Sequence, residues 1–261
     1  TFQTDLGWFV ESVVDTGGTG FETSLVLDAR DEPQIAYRMS GALYFAIRRD
    51  AGWQFEIVDS EGTVGLSPSL ALDAQDRPHI SYHDLSHDDL KYAWRDSSGW
   101  QLETVQSEGD VGWYTSLALD ASSQPHISFY SQGDDRLVYA HVGDAGWQTE
   151  TVDAGGHVGK YADLALDKEG TPYVSYYDVD GEALKVARRG DDGWSVERVD
   201  GPGIGLHTSV ALGADDRVHV SYEGSEYGEL RYAVATDQGW YTETVDSEGW
   251  PGYRPSIDLD A

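Results

Sequence analysis

The sequence predicts an all-β fold, a β-propeller of four-stranded blades. Three observations predict it: a block close to Ser-Leu-Ala-Leu-Asp recurs every 45 to 47 residues, each recurrence carries four short β-like segments, and no helical periodicity appears. The block stands at Ser24, Ser69, Ser116, Asp163, Ser209 and Ser256 and opens strand A of each repeat. Strand B follows a tight turn, opened by Pro33, Pro78, Pro125 and Pro172 and in the fifth repeat by Val218. Proline suits the first residue of a strand, where its missing N–H is not required. Strand C begins at Leu43, Leu90, Leu137, Leu184 and Leu230. Strand D begins with Gly-Trp at Gly7, Gly52, Gly99, Gly146, Gly193 and Gly239 and continues in period-two alternation. Segments rich in Val, Tyr, Trp and Thr between Gly, Asp and Ser turns read as strands. The recurring Trp of Gly-Trp reads as packing between blades.

Strands A and D occur six times but B and C only five, with a lone D segment near Thr1 and a lone A segment at Ser256. This count predicts one propeller domain over residues 1–261, of six-bladed type with an incomplete sixth blade. The repeats run 24–68, 69–115, 116–162, 163–208 and 209–255, with partial segments 1–23 and 256–261. A five-bladed ring with spare terminal segments is the alternative.

Composition excludes several function classes. There are 47 acidic against 17 basic residues, a formal net charge of −30, and only four of the basic residues are Lys. Such a surface repels phosphate backbones and anionic bilayers over a Debye length of about 8–10 Å, so no nucleic-acid partner is expected. No cysteine is present, which removes disulfides and thiolate chemistry. The lack of a long apolar run and the strand-like start at Thr1 predict neither a membrane span nor a signal peptide, although a processed, exported protein would look the same. Phosphate loops, serine-nucleophile elbows and His-Glu zinc helices do not appear.

The pattern S-L-A-L-D-x4-P-H-I-S-Y-x-D, clearest from Ser69 to Asp84, resembles repeats of large bacterial and archaeal secreted propeller proteins. The turns Asp96-Ser-Ser-Gly99-Trp100 and Asp144-Ala-Gly146-Trp147 are similar to a degenerate Asp-box turn of sialidase-like propellers, without its Ser and Thr. The resemblance implies the fold, an extracellular or cell-surface setting and, at greater distance, a carbohydrate ligand. Sialidases carry an arginine cluster and a Tyr/Glu nucleophile pair, and that arginine set does not assemble on one face here.

In a propeller the D-to-A links and B-to-C loops share the face around the channel mouth. The residue two positions before strand A varies where structural positions stay alike: Glu22, Ser67, Tyr114, Tyr161, His207 and Arg254. Trp113 adjoins it, and the B-to-C side adds His83, Asp84, Tyr130 and Tyr177. Trp250, like Trp113, lies outside the repeated Gly-Trp position. Aromatic faces beside carboxylates are the groups that sugars need, one stacking on a pyranose and the other accepting its hydroxyl hydrogens. Drift in solvated loops would produce the same variability. Among the histidines, His79, His126 and His219 recur at one strand-B position and read as structural. His83, His157 and His207 share no metal-ligand spacing, so zinc is not expected. Asp178, Asp180 and Glu182 crowd one loop and point to Ca²⁺; no other cofactor is expected.

Three readings follow. The leading one is a non-enzymatic, lectin-like module binding carbohydrate or another polar ligand at the channel mouth. The second is a glycan-cleaving hydrolase or lyase, with Tyr114, Tyr161, His207 or Glu22 as acid or base and Arg254 steadying a substrate carboxylate. The third is a scaffold for a protein partner.

Overall fold

The computed structural model describes residues 2–4, 7–14, 22–224, 228–249 and 251–259. A short hairpin of β1 (Phe2–Thr4) and β2 (Gly7–Phe9) comes first. Five four-stranded antiparallel sheets follow. Blade 1 holds β3 (Thr23–Leu27), β4 (Pro33–Met39), β5 (Ala42–Arg49) and β6 (Gly52–Asp59). Blade 2 holds β7 (Val64–Leu72), β8 (Pro78–Asp84), β9 (Asp89–Asp96) and β10 (Gly99–Gln106). Blade 3 holds β11 (Trp113–Leu119), β12 (Pro125–Ser131), β13 (Arg136–Gly143) and β14 (Gly146–Asp153). Blade 4 holds β15 (Val158–Leu166), β16 (Pro172–Asp178), β17 (Ala183–Gly190) and β18 (Gly193–Asp200). Blade 5 holds β19 (Leu206–Leu212), β20 (Val218–Glu223), β21 (Leu230–Thr236) and β22 (Gly239–Asp246). Each blade runs in chain order, and the first strands of successive blades lie against one another, which makes strand A innermost. Among the described residues no helix is long and apolar enough to cross a membrane.

The expected sixth blade is a point of correction: the structure has five, with no sixth four-stranded sheet among the described residues. The reason is the one the count exposes. The D-like segment at Gly7–Phe9 has no strand C to join and pairs with Phe2–Thr4 instead. The A-like segment after Arg254 forms no strand, yet the Ile257 amide donates to Ser209 Oγ at 3.3 Å, the contact that each inner strand makes with its predecessor. On the opposite side Leu25 is 58% exposed, while Leu70, Leu117, Leu164 and Val210 at its repeat position are buried against a preceding blade.

Burial between blades makes the core. Each of four apolar clusters joins two successive blades; Ala36 and Phe45 of blade 1, for example, meet Ile80 and Tyr82 of blade 2. The Gly-Trp indoles work as the repeat implies. Trp100, Trp147 and Trp194 stand edge-on to Phe45, Tyr92 and Tyr139 of the preceding blade, with centroids 5.2–5.4 Å apart. Trp100 and Trp194 donate Nε1–H to Glu56 and Glu150 at 2.8 and 3.1 Å. Aromatic burial with a satisfied indole N–H gives strong, oriented packing. The glycine before each of these tryptophans turns the C-D hairpin with φ between +103° and +119°, which only glycine adopts readily. The strand-B histidines are structural too: Nδ1 of His79, His126 and His219 hydrogen-bonds the phenols of Tyr92, Tyr139 and Tyr232 on strand C.

A second contact between blades is polar. The carboxylate ending strand D of one blade accepts from a strand-B tyrosine and a strand-C cation of the next. Asp59 accepts from Tyr82 at 2.7 Å and Lys91 at 2.5 Å, Asp153 from Tyr176 at 2.6 Å and Lys185 at 3.2 Å, and Asp200 from Tyr222 at 2.5 Å and Arg231 at 2.9 Å. Burial alone would raise Asp59 and Asp153, but these donors outweigh it and hold both below the ordinary carboxylate value. At the one junction without the carboxylate the set changes together, to Gln106, Phe129 and Val138.

The inner ring is stitched by Ser24, Ser69 and Ser116, whose Oγ atoms accept the amides of Leu70, Leu117 and Leu164 at 3.0–3.1 Å. Asp163 replaces serine in blade 4 and accepts from Val210 N and Ser116 Oγ, both at 2.8 Å. Burial disfavours its ionised form more than these donors favour it, so its pKa is raised. A raised folded-state pKa contributes stability below the unfolded value and loses it as pH rises through the folded value. Asp163→Ser, which restores the residue of the other junctions, is therefore expected to raise the melting temperature at pH 7, with the gain shrinking as pH falls toward 4. Melting curves across that range check it, and a gain independent of pH contradicts the assignment.

Candidate functional site

The local sequence that builds the site is the link entering strand A. In blades 2 to 5 a glycine, Gly65, Gly112, Gly159 or Gly205, sits two residues before the variable position. Its backbone passes so close to a leucine of the preceding blade that a Cβ on Gly112 would lie 2.9 Å from Leu90 Cα. The strand then bulges: pairing slips between Leu66 and Ser69, Trp113 and Ser116, Lys160 and Asp163, and Leu206 and Ser209. A bulge re-aims a side chain. Here it aims Ser67, Tyr114, Tyr161 and His207 at the channel axis, where they line one cavity of about 260 Å³ with Glu22 and Arg254. All six repeat positions thus meet at one mouth, although only five blades stand behind them.

Ser67, Tyr114, Tyr161, His207 and Arg254 adopt left-handed φ values of 46–56°. That conformation costs an L-residue about 1 kcal/mol or more, and glycine or asparagine usually takes it. Here the position holds a serine, two tyrosines, a histidine and an arginine instead. Strain of this kind concentrates where a side chain's direction matters.

An aromatic arc runs from the buried Tyr130 through the mouth residues Tyr114, Tyr161 and His207 to the exposed Tyr253, with successive centroids 6.3, 4.7, 4.2 and 5.3 Å apart. The Arg254 guanidinium lies 5.7 Å from the Tyr253 ring centre. Burial, then the neighbouring Tyr161 phenol, pushes the Tyr114 hydroxyl up to about 12; Glu22 adds to the shift and Arg254 opposes it. Tyr114 therefore stays neutral at ordinary pH and offers a hydroxyl. His207 Nδ1 meets Glu223 Oε2 at 2.6 Å, a buried carboxylate at the end of β20 that fixes the imidazole. Glu22 Oε2 accepts the Ser67 amide at 3.2 Å. The floor is tied down by the Thr208 hydroxyl, which donates to the Tyr161 carbonyl at 2.9 Å.

Not every residue expected at the mouth lines it. Glu22, Tyr114, Tyr161, His207 and Arg254 do. Trp113 turns away, stacks on His83 at 4.4 Å and donates Nε1–H to Asp110 at 2.6 Å. His83 and Asp84 are buried, the latter accepting from Ser86 N and His87 Nδ1, each at 2.9 Å. Tyr130 is buried and donates to Asp135 at 2.5 Å. Tyr177 is half-buried beside the mouth, and burial raises its phenol. Their backbones sit on the expected rim, but the end of strand B buries the side chains of His83, Asp84 and Tyr130. Trp250 lies outside the described residues.

The three carboxylates expected to hold Ca²⁺ do not converge. Asp178 is buried and paired with Lys185 Nζ at 2.8 Å, while Asp180 accepts the His157 amide at 3.0 Å and Glu182 is exposed. Among the described residues the group whose ligand atoms do converge is His83, Asp88 and Asp110.

No family model and no curated protein sequence matches the chain. Solved structures share its fold at low identity. A protein of unknown function from Dyadobacter fermentans superposes with a TM-score of 0.63 at 11% identity, over 88% of this chain and 83% of that one. A PL25 polysaccharide lyase, an ulvan lyase, gives 0.61 at 11% identity over 85% of this chain and 69% of its own. The Hadza microbial sialidase Hz136 gives 0.59 at 12% identity over 87% and 59%. The likeness to a sialidase accords with the propeller resemblance read from the Gly-Trp turns, and at these identities it establishes a shared propeller fold.

Proposed function

We propose that the protein binds carbohydrate at the channel mouth, outside the cell or at its surface. The observation that carries this reading is the left-handed ring: five equivalent positions hold a conformation suited to glycine, yet they present a hydroxyl, two phenols, an imidazole and a guanidinium to one cavity. Those groups, with the Glu22 carboxylate, supply donors, acceptors and ring faces for a polyhydroxylated ligand. Arg254 matches an acidic sugar, since a guanidinium forms paired hydrogen bonds with a carboxylate. One of the fold neighbours, the PL25 lyase, is known in complex with -[GlcA(1-4)Rha3S]-, which supports this ligand class by analogy of fold.

A second reading, glycan cleavage at the same mouth, is favoured by the His207–Glu223 pair. Glu223 fixes the imidazole by one nitrogen and leaves the other to exchange a proton beside Tyr161. The neutral Tyr114 phenol suits binding more than base catalysis. A glycan-array screen of the intact protein, with bound glycans re-examined for cleavage, tests both. Binding without product is expected; product would move the function to the lyase or hydrolase, and a blank array would remove carbohydrate altogether in favour of a protein partner.

A further inference from the structure

We propose that His83, Asp88 and Asp110 form a binding site for a divalent transition-metal cation of the Zn²⁺ class, between blades 2 and 3. The three residues come from the end of β8, the loop before β9, and the link into blade 3. One ligand atom from each lies within 4.8 Å of the others. This inference does not rest on the carbohydrate reading.

The decisive atom is His83 Nε2. The ring is fully buried, and its Nδ1 lies 2.8 Å from the Val111 carbonyl. A carbonyl only accepts, so Nδ1 carries a hydrogen and Nε2 is the nitrogen left to act as a ligand. That nitrogen is buried without a hydrogen-bond partner and faces the two carboxylates. An unpartnered buried nitrogen gathered with two carboxylates is an arrangement that a bound cation satisfies. A backbone carbonyl that orients the imidazole through its other nitrogen is also the usual support of a metal-binding histidine. Asp110 is oriented in the same manner: its Oδ1 accepts Trp113 Nε1–H at 2.6 Å and its Oδ2 accepts Gln132 Nε2–H at 3.0 Å. Asp88 is exposed and free to close onto an ion.

The next junction provides an internal control. Tyr130, Asp135 and His157 occupy the three equivalent positions, and there the set satisfies itself. Tyr130 donates to Asp135 at 2.5 Å, and His157 Nε2 lies 2.6 Å from the same carboxylate. Donors and acceptors balance there, and at His83, Asp88 and Asp110 they do not. One imidazole nitrogen with two carboxylate oxygens suits Zn²⁺ and its neighbours, whereas Ca²⁺ and Mg²⁺ prefer oxygen alone. A bound ion would fasten the loop before β9 to the link that carries Trp113 and Tyr114.

The test is calorimetric titration of the chelator-treated full chain with Zn²⁺, repeated with Co²⁺, whose visible spectrum reports nitrogen and oxygen ligation, and with Ca²⁺. One Zn²⁺ per chain is expected. Asp88→Asn and Asp110→Asn should each weaken it at least tenfold. Asp88→Asn alters an exposed side chain, so its metal-free melting temperature should match the wild type and separate ligand loss from misfolding. Absence of saturable Zn²⁺ binding, Zn²⁺ affinity unchanged in both variants, or Ca²⁺ binding as tight as Zn²⁺ would overturn the proposal.

Discussion

Lys185→Val alone is expected to destabilise the protein by about 2–3 kcal/mol, and the fourfold change Asp153→Gln, Tyr176→Phe, Asp178→Ser and Lys185→Val by much less. Lys185 Nζ stands 3.2 Å from Asp153 and 2.8 Å from Asp178, and all three side chains are largely withdrawn from water. Removing the cation leaves two carboxylates, with Tyr176 donating to one of them, in a site whose dielectric no longer screens them. Replacing the whole set by neutral partners removes the charges together. The chain already contains that alternative, because the junction of blades 2 and 3 holds Gln106, Phe129, Ser131 and Val138 at the same positions. Denaturant titration of the single and fourfold variants gives the comparison. Equal losses would mean that the polar contacts stabilise independently rather than as one unit.

The second large effect belongs to the mouth. Arg254→Ala and His207→Ala are each expected to reduce affinity for a bound acidic glycan by tenfold or more, the size of losing a hydrogen bond to a charged group. Tyr161→Phe should be milder, because the ring face remains and only the hydroxyl is lost. Arg254 and Tyr161 stand in left-handed links rather than in the cores between blades, so the Arg254→Ala and Tyr161→Phe variants should melt close to the wild type. His207→Ala carries one complication that the measurement must separate: it also leaves the buried Glu223 carboxylate without its partner. Arg254→Ala is therefore the cleaner probe, and retained affinity in that variant would place the ligand elsewhere.

The repeat was legible because it is dictated by backbone economy. Proline opens strand B, glycine turns the C-D hairpin at positive φ, and Trp100, Trp147 and Trp194 fill the same gap between blades, so local chemistry and architecture agree. The residue preceding strand A by two was legible as a site because structural positions stay alike while this one ranges from Glu22 to Arg254. Blade number was less so, since the count of A and D segments does not reveal that the D-like segment at Gly7–Phe9 would pair locally. Side-chain direction at the end of strand B was not legible either. His83 and Tyr130 share the rim in sequence, but their side chains are buried on partners, Val111 and Asp135, that come from a link and a loop. For the same reason Asp110 gave no motif: its nearness to His83 and Asp88 is created by the junction of two blades. The one hint was that His83 stands alone as an imidazole where the other repeats carry Arg38, Tyr130, Tyr177 and Glu223.

The central claim is that the left-handed ring at the channel mouth is the binding site for a sugar. It is tested most directly by a crystal structure of the protein soaked with the strongest glycan from the array. Sugar density in the mouth within hydrogen-bond reach of Tyr161, His207 and Arg254 is expected; density on another surface with the mouth empty would overturn this assignment.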